Sequence, residues 1–169
     1  TIARYFFLRL VEMDTSEKYI RMCSLAKEIQ QKWVFQSGDF VYNPAFEKIE
    51  VLLDPGNNSI NYIWLPRQDQ LQEICIAFFM HNLRISKFEA FSRFLEWYSG
   101  RLRYTFEHGL KNGNDFIDSG EELLLNRAMI MMHWKKWDGE NWVKALDGKA
   151  SGKIPAKNSN YFQAVSKKD

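Results

Sequence analysis

Residues 60–74, INYIWLPRQDQLQEI, decide how this chain reads. Ile60, Tyr62 and Trp64 alternate with Asn61, Ile63 and Leu65, a period of two that suits a strand. Pro66 has no N–H for a sheet ladder, so the strand stops there. Leu71, Ile74, Cys75, Phe78 and Phe79 then recur at helical spacing and predict a helix over about 67–80. Strands are expected mostly before this corner and helices mostly after it.

Upstream, residues 39–42 and 46–53 predict two more strands, with Phe46, Ile49, Val51 and Leu53 apolar in the second. Asp54-Pro55-Gly56-Asn57-Asn58 is a turn signal, because Pro fixes φ while Gly and Asn accept positive φ. The three strands predict a small antiparallel meander. Before them, Tyr19, Ile20, Cys23, Ala26, Ile29 and Trp33 mark one face of a helix over 16–33. Gln30 is the polar exception on that face. Asp14 with Glu17, or Thr15, supplies the start signal. Residues 2–13 are apolar without a clean period, so strand and helix both remain open.

Downstream, Ser86-Lys87-Phe88-Glu89 is a capping box opening a helix through Phe88, Phe91, Phe94, Leu95 and Tyr98, with Gly100 placed to end it. Arg101 to Phe106 alternates and predicts a half-buried strand. Ser119-Gly120-Glu121-Glu122 is a second capping box, and Leu124, Leu125, Ala128, Met131 and Met132 form the expected buried side of a helix to about Trp134. Trp137-Asp138-Gly139-Glu140-Asn141-Trp142 predicts a tight hairpin flanked by tryptophans. The pattern predicts an α+β fold: a small antiparallel sheet packed with about four amphipathic helices. Residues 1–146 are expected to form one domain, and 147–169 a loose, flexible basic C-terminal tail.

Composition narrows the function classes. The net charge is +2, and the last 23 residues carry +3 of it, leaving the body near −1. A body so nearly neutral gives no strong nucleic-acid signal, although Arg101, Arg103 and Tyr104 lie close together. Aromatic residues make up 15% of the chain, enough for either an aromatic core or an exposed aromatic surface. Two cysteines, Cys23 and Cys75, give neither a disulfide scaffold nor a metal spacing, and a reducing, cytoplasmic setting is the expectation. No apolar run approaches the roughly 20 residues a membrane span needs. His81, His108 and His133 match no zinc spacing, and His81 and His133 fall near helix ends, where a cation complements the dipole.

Candidate sites are sparse. No phosphate loop, nucleophile elbow or Cys–His pairing is present, so no catalytic residue, metal ligand or cofactor is assigned. Glu121-Glu122 and Asp138 with Glu140 are paired carboxylates. They would do acid–base work only if buried together with shifted pKa values. The candidate ligand-binding residues are Trp64, Arg67, Gln68 and Asp69 at the corner, with Trp137 and Trp142 at the hairpin. Their functional reading is a helix N-terminus beside an indole, able to take an anion or a nucleotide base. Their structural reading is a strand-to-helix corner held by capping and an Arg–carboxylate bond.

Four segments carry a family likeness: SLAKEIQQKW (24–33), GDFVYNPAFEKIEVLL (38–53), IWLPRQDQLQEI (63–74) and EELLLNRAMIMMHWKKWDGENWVKAL (121–146). They resemble small proteins encoded by bacteriophages and prophages of Firmicute-type bacteria, a group with no established activity. Its recurrent marks correspond here to Trp64, Leu65, Pro66, Gln68, Gln70, Leu71, Gln72 and Glu73, then Trp137, Asp138, Gly139 and Trp142. The likeness spans roughly 24–146, apart from an insert between His81 and Asn114. It implies a phage or prophage genomic context and little else, and it favours a binder of a host or defence component, which the aromatic load without a catalytic signature also suggests. The sequence therefore ranks three expectations: a non-enzymatic binder of such a protein, a small-ligand (nucleotide-type) binder at the corner, and an enzyme with an unrecognised site.

Overall fold

The computed structural model describes residues 13–54, 61–112 and 119–145, the stretch 105–112 by its backbone alone. The apolar segment 2–12, most of the turn at 54–58 and the basic tail lie outside the described residues. The fold is α+β, as the sequence predicts. Helix α1 is Glu17–Leu25 and α2 is Lys27–Gln30; strands β1 (Phe40–Asn43), β2 (Lys48–Val51) and β3 (Ile63–Leu65) follow. Helices α3 (Gln68–Leu83), α4 (Lys87–Asn112) and α5 (Gly120–His133) come next, and β4 (Lys135–Trp137) and β5 (Trp142–Lys144) close the described chain.

Ser16 starts α1: its hydroxyl accepts from the Tyr19 N–H at 3.1 Å, satisfying a donor that the helix leaves free. Asp14 supports this cap by accepting from the Ser16 N–H at 2.8 Å. The single helix expected over 16–33 is broken at Ala26, whose ψ of 61° leaves helix geometry. Across the break, the Gln30 amide accepts from the Trp64 N–H and donates to the Trp64 C=O, both at 2.9 Å. That accounts for the one polar residue on an apolar face: Gln30 satisfies the free edge of β3 in place of another strand.

The sheet is antiparallel, but its order is β2-β1-β3, with Tyr42 opposite Ile49 on one side and Ile63 on the other. A meander would put the second strand in the middle, so this part of the expectation is corrected. The physical reason is the corner: β3 must lie between β1 and α1/α2 for Gln30 to reach it and for the Tyr19 hydroxyl to donate to the Pro66 C=O at 2.6 Å.

Helix α5 is buried nearly all round, with Leu124, Leu125, Ala128 and Met129 inaccessible and Leu123 and Met131 almost so. A helix apolar on every side belongs in the middle of a core. It packs on α3, and α3 packs in turn on α4. One cluster of buried residues joins α1, α2, β3, α3, α4 and α5. The tryptophan hairpin forms as predicted, with Asp138 Oδ1 accepting from the Glu140 and Asn141 N–H groups at 2.9 and 2.8 Å and Gly139 at φ +111°.

The strand expected over 101–106 is absent; α4 runs straight through Gly100 to Asn112. Six residues are too few for alternation to exclude a helical period. The Arg101 guanidinium lies 5.3 Å from the Tyr104 ring centroid, an i,i+3 contact that a helix makes and a strand does not. Gly100 therefore weakens a helix interior, and the space where its Cβ would stand is open. Gly100→Ala is expected to raise stability by roughly 0.5–1 kcal/mol, read from the urea midpoint. A lowered midpoint would mean that the helix ends at Gly100.

Among the described residues, no helix is long and apolar enough to cross a membrane.

Candidate functional site

The corner after β3 is a closed network. Asp39, almost fully buried, accepts from Trp33 Nε1 at 2.8 Å, from the Gln36 N–H at 2.9 Å and from Gln70 Nε2 at 2.6 Å. The same Gln70 side chain accepts from the Arg67 N–H at 3.0 Å, tying the first turn of α3 to the start of β1. Arg67 places its fork on Asp69 at 3.0 and 3.1 Å and donates from Nη1 to the Gly38 C=O at 2.9 Å. The bonded partner raises the Arg67 pKa and lowers that of Asp69. Trp64 is only 5% exposed and stacks on Trp33 with ring centroids 6.0 Å apart. Gln68 points to the start of α5, its Nε2 3.5 Å from a Glu121 oxygen and tight against Gly120.

These bonds favour the structural reading of the corner. Arg67 donates from each of its three guanidinium nitrogens, and the Trp64 face is covered by another indole. Trp137 and Trp142 meet edge to face at 5.2 Å, and Trp142 Nε1 donates to the Met22 C=O at 2.9 Å. The Trp137 N–H donates to Asn126 Oδ1 at 3.1 Å, docking the hairpin on α5. Corner and hairpin are thus anchored separately, and among the described residues no ring contact joins Trp64 to the Trp137–Trp142 pair.

Both carboxylates of the second capping box are buried. Ser119 Oγ accepts from the Glu122 N–H at 3.1 Å, and Glu122 is paired with Lys18 Nζ at 2.6 Å. Glu121 lies beside Gln68, and burial pushes its pKa up to about 7; hydrogen bonds from its own backbone and Gln68 oppose the rise, and the Asp14 charge adds to it. The two acids therefore serve different partners rather than one reacting atom. A folded acid that holds its proton more tightly than the unfolded one takes up protons on folding. Its contribution to stability then falls as pH rises between about 4.5 and about 7. Glu121→Gln keeps an acceptor for Gln68 and removes this penalty. It is expected to exceed the native protein in stability by roughly 1–2 kcal/mol at pH 8, with the gap closing toward pH 5. Urea titrations at both pH values check this, and an equal gap at both would contradict it.

Burial raises the thiol pKa of both Cys23 and Cys75. His133 does sit in the last turn of α5, but burial lowers its pKa, so the expected cation at that helix end is not its ordinary form. No group of three His, Cys, Asp or Glu able to hold a metal occurs among the described residues.

What the sequence reading missed is the outer face of α4. Phe88 is 82% exposed, Phe91 41% and Leu95 46%, three apolar side chains at i, i+3 and i+7. The inner face of the same helix buries Ala90 and Phe94 and half-buries Trp97. A signal was available: at 100° per residue the apolar positions 88–98 cover roughly half the circumference, more than one packing partner needs.

No protein-family model matches the chain, and neither a curated protein nor a solved structure is significantly similar to it.

Proposed function

We propose that this chain is a non-enzymatic binding protein that docks on a partner protein through the outer face of α4. The observation that supports this most is Phe88, the most exposed large hydrophobic residue among those described. It stands at the head of a stripe that continues through Phe91 and Leu95, both of which also stay exposed among the described residues. Anchors three and seven residues apart span two helical turns and fit the apolar ridge of an amphipathic helix laid alongside. Glu89, Arg93 and Glu96 border the stripe with both charge signs, which favours a partner helix edged by mixed charges over a polyanion. The likeness to phage and prophage proteins supports a host or defence protein as the bearer of that helix.

Photo-crosslinking tests the reading. A photoreactive phenylalanine analogue at position 88 is expected to capture a protein from the bacterium that carries this sequence, and the same analogue at Phe46, which is 72% exposed on the β1–β2 turn, is not. The captured protein, purified, is then expected to bind the native chain and to bind Phe88→Glu on the order of tenfold or more weakly. Capture from both positions alike, or undiminished binding by Phe88→Glu, would overturn the assignment to α4.

A further inference from the structure

Arg127 is a cation that the fold holds between aromatic rings, with no acid paired to it among the described residues. It projects from α5 so that its guanidinium carbon stands 4.7 Å from the Trp97 ring centroid and 6.0 Å from that of Phe79. Trp97 is itself fixed by Phe94 and Tyr98, with centroids at 6.1 and 6.2 Å, so the surface under the guanidinium is rigid. Nε is sealed from solvent and has no hydrogen-bond partner, whereas the terminal nitrogens are not sealed. Lys18, Arg67, Arg93 and Lys135 each pair with a carboxylate; among the described residues Arg127 pairs with none. Burial lowers the Arg127 pKa, and the Cys75 thiol that opposes this is itself kept neutral by burial.

We propose that Arg127, seated on Trp97 and Phe79, is a binding site for a carboxylate group. The geometry selects the mode of contact. With Nε turned into the helix seam, the open edge of the fork is the Nη1/Nη2 end, and two parallel N–H bonds from that end match the two oxygens of a carboxylate. The rings hold the guanidinium plane by cation–π attraction, so little rotamer freedom is lost when the ligand arrives. A half-buried cation also gains more from an anion than an exposed one, because solvent screens it less. The carboxylate can be that of a small free acid or an aspartate side chain presented by a peptide, and the chemistry recognised is the same.

NMR of the Arg127 side-chain resonances, in the full chain at constant ionic strength set with chloride, tests this. The expected result is a saturable shift on adding acetate or acetyl-aspartate amide, with the tighter of the two identifying the source. Arg127→Lys keeps the charge and loses the fork, and is expected to bind on the order of tenfold more weakly when the Trp97 indole N–H signal is followed instead. No saturable shift with either acid, or an equal response of the Trp97 signal in Arg127→Lys, would overturn the proposal. The native-protein titration stands even where the variant folds poorly.

Discussion

Replacing Asp39 with alanine is expected to cost about 3–5 kcal/mol of stability, because a buried carboxylate that holds three donors is lost at once. Trp33 Nε1, the Gln36 N–H and Gln70 Nε2 all converge on this carboxylate. Losing it frees the Gln70 side chain that fastens the first turn of α3, and with it the register of the corner. Asparagine is no remedy: it keeps one acceptor but turns an NH2 toward donors. Urea unfolding with an unchanged slope and a lowered midpoint is the expected record. A loss below about 1 kcal/mol would mean that the network does not hold the corner.

Phe94→Ala is expected to cost a similar amount, about 3–5 kcal/mol, through the cavity it leaves. The ring is almost fully buried and stacks on Tyr98 at 5.6 Å, with Trp97 beside it. Phe88→Ala, on the same helix, is expected to change stability by less than about 0.5 kcal/mol, since its side chain faces water. The contrast is informative because the residue types are identical and only the helix face differs. Equal losses at both positions would show that the stripe is packed after all.

How much of this was legible in the sequence depends on where the signals are local. The serine N-cap bonds at Ser86 and Ser119, the Asp138-Gly139 turn and the Pro66 corner are short-range chemistry, and each appears where its residues predict it. Strand order is not local: β1 lies at the centre because Gln30 and Tyr19, far away in sequence, claim the other side of β3. The break at Ala26 has no glycine or proline to announce it, and is seen only through what Gln30 does across it. Arg101 to Phe106 was misread because two periods fit so short a run. The corner residues stood out for the same reason that they bond so fully to one another: polar side chains around a helix start are needed there for the fold. Exposure of one apolar face over another cannot be read until the helix has neighbours, which is why Phe88 and Arg127 were passed over.

The most direct test is to measure the affinity of the crosslinked partner for Phe88→Glu and for Arg67→Ala side by side, with each variant shown to be folded. The result expected is loss of binding on the order of tenfold or more for Phe88→Glu and native affinity for Arg67→Ala. Native affinity for Phe88→Glu, with binding lost in Arg67→Ala, would move the site back to the corner and contradict the assignment to α4.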